Sequence, residues 1–276
     1  MADRRRRDDE YLFLMSVFFR MVDSKKGQPI ADDDLWFRDI QSLAAKLFDH
    51  IGTIRYLQNG TRFTIFDGRE RSYIDHASIS ILARAAFETY LCFYYIYGDI
   101  RADIEARKLR HDIWELGGLL ERQHVTCTSE KATSVLEQDK RVICSLLSNI
   151  EQNAVFHSFN ASQQKKARKG QWRLHYKWVD LAVMAGFAEC VFRDLYRYLC
   201  SYAHSGGLSL LQIRQAVSSD DREFLSSLAT ECAMLIMSEF VLSYAELFPD
   251  TRIYLEANAE AQRLVQEWHM VCRGGK

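Results

Sequence analysis

The sequence predicts an all-α fold, a multi-helix bundle around a central buried helix, with at most one short β element near residues 61–66. Three observations carry this. Proline occurs only 2 times in 276 residues, where average usage of about 5% would give roughly a dozen. Proline is kept out of helix interiors because it lacks the N–H and clashes with the preceding turn. Apolar residues recur at helical spacing along nearly the whole chain. The balance of 48% hydrophobic and 26% charged residues is that of a globule, and the chain is long enough to bury a core without disulfides or metals.

The elements follow in order. A first helix is expected over residues 9–22, closed by "DSKKGQP". A second begins near "ADDD", where Asp32 or Asp33 can cap free N–H groups, and runs to the stop signal Asn59-Gly60. "TRFTIF" alternates Thr61, Phe63 and Ile65 before Asp67-Gly68, which reads as one short strand or an extended loop. The third helix is expected over residues 72–97. From Ser78 onward apolar or small residues occupy nearly every angle of its wheel, so other helices should surround it. The fourth, within 99–124, is charged and amphipathic, with Gly117-Gly118 near its end. The fifth, within 129–153, opens with Ser129 as a partial cap. "FNASQQKKARKGQWRLHYKW" is the most polar stretch and is expected to be a loop. Helices over 179–185 and 188–204 follow, "SGGLSL" breaks the chain, and two helices over 220–247 and 251–272 complete it. The expected organisation is one helical domain, 1–276, with helices 9–59 and 220–272 packed around a core of 72–211.

Several function classes are disfavoured. Lys plus Arg is 36 and Asp plus Glu 37, a net charge of −1, so any nucleic-acid contact must be a local patch. Residues 4–7 and 165–169 are the two basic clusters. Each reads as a nucleic-acid contact or as a solvated segment. The seven cysteines are an odd number without a C-x-x-C pair, which points to small buried hydrophobes in a reducing, cytoplasmic setting. The N-terminal stretch has acidic residues after its arginines and reads as an amphipathic helix, not a secretory signal. The longest apolar run carries Arg84 and Glu88, so a core helix is expected and no membrane association. No phosphate-binding glycine loop, nucleophile elbow, H-E-x-x-H motif or paired Glu-x-x-His is present, and no metal or cofactor is expected.

Two segments carry chemistry. Arg84 and Glu88 are the only charges in the third helix from Ser78 to Tyr97, four residues apart. Burying charge costs several kcal/mol per ion unless it is paired, so the pair either lines a polar cavity or fixes helix register. In "VFRDLYRYLCSYAHSGGLSL", Arg193, Arg197, Cys200 and His204 fall within about 60° on a helical wheel. Val191, Leu195, Tyr198, Leu199 and Tyr202 take the other side, toward the core. Two arginines and a histidine on one stripe suit an anion such as a phosphate. A histidine at a helix C-terminus is equally favoured as a structural cap.

"ISILARAAFETYL", followed about a hundred residues later by "W…A…GF…YRYLCSYAHSG", resembles a family of uncharacterised prokaryotic helical proteins. In that family an Arg-x-x-x-Glu helix precedes a Tyr-Arg-x-x-Ser-x-x-His helix. The resemblance covers residues 79–211. The Arg197–His204 spacing is also similar to the Arg-x-His signature of the HEPN superfamily, whose members include metal-independent ribonucleases of toxin and antiphage systems. Here six residues intervene, and Tyr198 stands where a polar residue usually follows the arginine. This resemblance implies a possible endoribonuclease or RNA-binding protein acting as a homodimer. His204 would be its general acid or base, Arg197 and Arg193 would stabilise phosphoryl charge, and Arg84 and Glu88 would orient the pair. The alternative is a non-catalytic helical module that binds a protein partner, with Arg84–Glu88 and His204 structural.

Overall fold

The computed structural model describes residues 2–126 and 128–275, without the side chains of 2–5, 32 and 33. Cys127, Arg4, Arg5 and the expected caps Asp32 and Asp33 lie outside the described residues in whole or in side chain. The chain is 76% helical, with 13 α-helices and one two-stranded hairpin among the described residues.

Helix α1 (Ala2–Asp23) and α2 (Arg38–Gln58), joined through a 3-10 turn at Asp32–Phe37, lead to strands β1 (Thr61–Thr64) and β2 (Glu70–Tyr73). The strands pair antiparallel, Thr61 opposite Tyr73 and Thr64 opposite Glu70. Gly68 takes the turn at φ 82°, and the Asp67 carboxylate accepts from the Arg69 backbone N–H. The second strand occupies residues expected to open the third helix. That helix, α3 (His76–Phe93), starts instead where Asp75 caps it, accepting from Ser78 N at 3.0 Å and Ser78 Oγ at 2.7 Å. It ends in a wider π turn, Tyr94–Gly98. There Arg110 donates to Tyr95 O and Arg107 to Tyr97 O, satisfying terminal carbonyls.

Next come α4 (Ile104–Gln123), α5 (Glu130–Gln152), α6 (Ala154–His157) and α7 (Ala161–Ala167). The last of these lies inside the stretch expected to be loop. A reciprocal cap between Asn160 and Gln163 nucleates it despite its polarity. These four helices enclose a small core of their own around Leu109, Leu116, Ile150 and Phe156. Gly117 of α4 lies against Gly170, where a Cβ would come within 2.4 Å of the Gly170 carbonyl oxygen.

Helices α8 (Trp178–Met184), α9 (Glu189–Ala203) and α10 (Gly207–Gln215) follow. "SGGLSL" is therefore a break of a few residues and then the start of α10. Ser201 Oγ accepts from Ser209 N at 3.0 Å and ties the new helix to α9. The long α11 (Ser219–Leu247) opens on a capping box of Ser218 and Asp221. The final expected helix is split into a 3-10 turn, α12 (Ile253–Glu256) and α13 (Ala259–Cys272). Asn258 makes the split by capping α13.

The main core joins α1, α2, α3, α9, α11 and α13. The central position expected for one helix is shared by two, since α11 is buried along most of its length beside α3. By length and apolar composition α11 is long enough to cross a membrane; 67% of its apolar window is buried within the protein. Of the described cysteines, Cys92, Cys232 and Cys272 are buried as expected, whereas Cys144 and Cys190 are exposed on polar helix faces.

Candidate functional site

The candidate site forms where α9 packs across α3. Phe192, Leu199 and Tyr202 bury the inner face of α9, while Val191, Leu195 and Tyr198 of the expected inner set stay half-buried. That rotation turns Tyr196 and Cys200 toward α3. The Arg84 Nε donates to Glu88 Oε1 at 3.0 Å. The Tyr196 hydroxyl donates to the same oxygen at 2.6 Å. Arg84 Nη1 then meets His204 Nε2 at 3.0 Å. Because a guanidinium only donates, this bond exists with Nε2 unprotonated and accepting. The result is a continuous chain, Tyr196–Glu88–Arg84–His204, bridging two helices far apart in sequence.

The electrostatics follow from this geometry. Burial opposes the charge on Arg84, but Tyr196 and Glu88 outweigh it and hold the guanidinium firmly cationic. Burial and the Glu88 carboxylate push the Tyr196 hydroxyl up, so it remains a donor. Burial also raises the Cys200 thiol, although Arg84 and Tyr196 pull against it. It therefore stays protonated near neutrality and is not a nucleophile.

His204 is the C-terminal cap position of α9, with its N–H on Cys200 O at 3.1 Å. Its side chain is exposed. Ser205 follows at φ 51°, a left-handed conformation that sharply redirects the chain. Arg197 is also exposed. Arg193 is exposed and tied back to Glu189 in an ion pair, so it does not join the chain of bonds.

The third helix was expected to lack any solvated face. Its first turns do have one: Ile81 is exposed, and the Arg84 and Glu88 side chains retain 20% and 29% of their accessibility. The pair is a half-buried edge of an open surface, because α9 crosses α3 at only one side. Tyr196 is not among the candidate residues that the sequence pattern singles out. It stands one turn before Cys200 and two before His204, so the same wheel would have placed it on the stripe. Among the described residues no group of three or more His, Cys, Asp or Glu is placed to hold a metal ion.

The profile of DUF5677, a family of unknown function, matches residues 69–224, over half of the chain. The chain belongs to this family. No curated protein and no solved structure matches it. The DUF5677 segment runs from β2 to the first turns of α11 and so contains both halves of the site, Arg84–Glu88 and Tyr196–His204. Helix α2 and most of α11, which pack on other sides of α3, lie outside it, as do α1 and α13, which pack on α11.

Proposed function

We propose that this DUF5677 protein is an HEPN-like, metal-independent ribonuclease or RNA-binding protein of a prokaryotic defence or toxin system, active in the cytoplasm. The observation that supports it is the 3.0 Å contact between Arg84 Nη1 and His204 Nε2 on an open surface. A guanidinium held by a carboxylate beside an accessible imidazole suits a phosphodiester. An entering phosphate oxygen is a stronger acceptor for Arg84 than the imidazole and frees the Nε2 lone pair. His204 then takes the proton of a ribose 2′-OH as that oxygen attacks the adjacent phosphorus. The bond to the 5′-oxygen breaks, water supplies its proton, and a 2′,3′-cyclic phosphate and a 5′-OH result. Arg84 and Arg197 stabilise the charge that develops on the phosphoryl oxygens. Glu88 and Tyr196 position Arg84. Arg193, held in its ion pair with Glu189, takes no part in this step, and a second chain completes the site in a homodimer.

The test is a single-stranded RNA incubated with the purified protein, with and without EDTA, and end-group mapping of the products. Cyclic phosphate ends unaffected by EDTA are expected. Products with 5′-phosphates, or a strict Mg²⁺ requirement, would overturn the mechanism.

One observation favours the non-catalytic reading. Helix α10 exposes Leu208 and Leu211 on one side and Leu210 and Ile213 on another, next to the site, apolar surface of the kind that docks on another protein. On that reading Arg84 and His204 only fasten α9 to α3. Absence of cleavage together with capture of a defined protein partner through α10 would establish it.

A further inference from the structure

Residues 165–177 hold six Lys or Arg and no Asp or Glu, against a net charge of −1 for the chain. The other basic cluster is internally neutralised where it is described: Arg6 pairs with Glu10 and Arg7 with Glu231. The 165–177 segment is different. Together with the end of α4 it walls a cleft of about 790 Å³. Arg168, Lys169, Arg173 and His175 line the cleft from the segment and His124 from the C-terminal cap of α4, with Glu121 the one carboxylate among its lining residues. Glu151 takes one donor of Arg168, whose Nε lies 2.6 Å from it.

The cleft is preformed. Gly170, at φ 65°, sits so close to α4 that a Cβ there would lie 2.3 Å from Gly117 Cα. Leu174 is held at φ 52° with its carbonyl on Lys166 Nζ at 2.9 Å. Gln163 Nε2 donates to His175 Nδ1 at 2.9 Å. Aromatic faces alternate with the charges. Trp172 and Tyr176 are half-buried in the cleft wall, backed by Tyr95 at ring distances of 5.9 and 5.8 Å. The Arg173 guanidinium lies 4.6 Å over the Trp178 ring.

A concave surface that interleaves cations with aromatic rings matches a flexible polyanion with flat bases. It does not match an acidic peptide, which offers no rings to stack. We propose that this cleft is a binding groove for single-stranded RNA, separate from the Arg84–His204 site. Its backing residue Tyr95 is eleven positions beyond Arg84, about 16 Å along the helix axis. The inference deepens the ribonuclease reading but concerns binding, so the two stand or fall separately.

The experiment measures fluorescence polarisation of a labelled 12-nucleotide single-stranded RNA in the His204→Ala background, where no cleavage intervenes, over a salt series. Arg168→Gln with Lys169→Gln changes two exposed side chains and is checked for folding by circular dichroism. The double variant should weaken binding at least about tenfold and lower the slope of log K against log salt by about 1.4, two phosphate contacts at about 0.7 each. Trp172→Phe should bind within about threefold of the parent, because a smaller ring still stacks. Unchanged affinity and slope in the folded double variant would overturn the groove, as would binding of polyglutamate as tight as RNA. If the wild type binds as described but never cleaves, the ribonuclease reading fails and the groove stands. If cleavage persists while the double variant binds normally, the reverse holds.

Discussion

At the scale of single residues, the pair on α3 is worth less to stability than its apolar surroundings suggest. A fully buried pair would make Glu88→Ala cost about 3 kcal/mol or more by stranding Arg84. With both side chains partly accessible, water solvates Arg84 once Glu88 is gone, and the expected loss is about 1 kcal/mol. Urea denaturation of wild type and variant checks this; a loss above about 3 kcal/mol would mean that the pair is closed off from water in solution. A second residue carries a pH signature. His111 is buried against Trp36, Tyr97 and Trp114. Its Nε2 lies 3.1 Å from Asp39, and Asp112 stands 3.5 Å from Nδ1, too far for a hydrogen bond but close enough for an ion pair. Burial works against the charge, but the Asp112 and Asp39 carboxylates outweigh it and push His111 up to about 9. A raised value stabilises the fold fully below the unfolded histidine's own range, near 6.5, and the contribution disappears as pH rises through about 9. The difference in stability between wild type and His111→Gln should therefore shrink by about 3 kcal/mol from pH 6 to pH 10. A difference that stays flat or grows over that range would contradict the assignment.

At the scale of elements, two adjacent glycines in α4 should respond in opposite directions. A Cβ at Gly117 would strike the Gly170 backbone at 2.4 Å, whereas nothing lies within 4 Å of one at Gly118. Gly117→Ala should cost about 1–3 kcal/mol through overpacking. Gly118→Ala should stabilise by about 0.5–1 kcal/mol through helix propensity. The two midpoints in one denaturant series decide the matter, and equal shifts would refute the close approach. The pair also shows where a sequence stops being legible. Gly117-Gly118 looks like helix-end punctuation, and only the tertiary position of Gly170 separates the two. The long periodic helices were readable because their apolar stripes report burial directly. Helix α10 was not, because its leucines are largely exposed and follow two glycines. Helix α7 was not, because its start rests on the reciprocal Asn160–Gln163 cap within a polar stretch that has no apolar stripe. At the site, the contact of Arg84 with His204 spans 120 residues. The sequence supplied both residues and the wheel that groups Arg197 with His204, but not the helix crossing that selects Tyr196 over Arg193.

At the scale of the whole molecule, α3 is the common wall of everything described. It packs on α2 and α11 for stability and on α9 for the site, and its terminal π turn backs the basic cleft. Two of those supports lie wholly or mostly outside residues 69–224. A fragment 69–224 should therefore fail to show a cooperative unfolding transition, while the full chain shows one; a sharp transition in the fragment would mean that α3 needs neither α2 nor α11. In the proposed function, Arg84 and His204 form an anion-handling pair that cleaves RNA. The most direct measurement is the single-turnover cleavage rate of one single-stranded RNA by wild type and by His204→Ala, with circular dichroism on both. A folded variant whose rate falls at least about 100-fold, the low end for a general acid–base group, is the expected result. Cleavage by the variant at the wild-type rate, or no cleavage by the wild type itself on any single-stranded RNA, would contradict it.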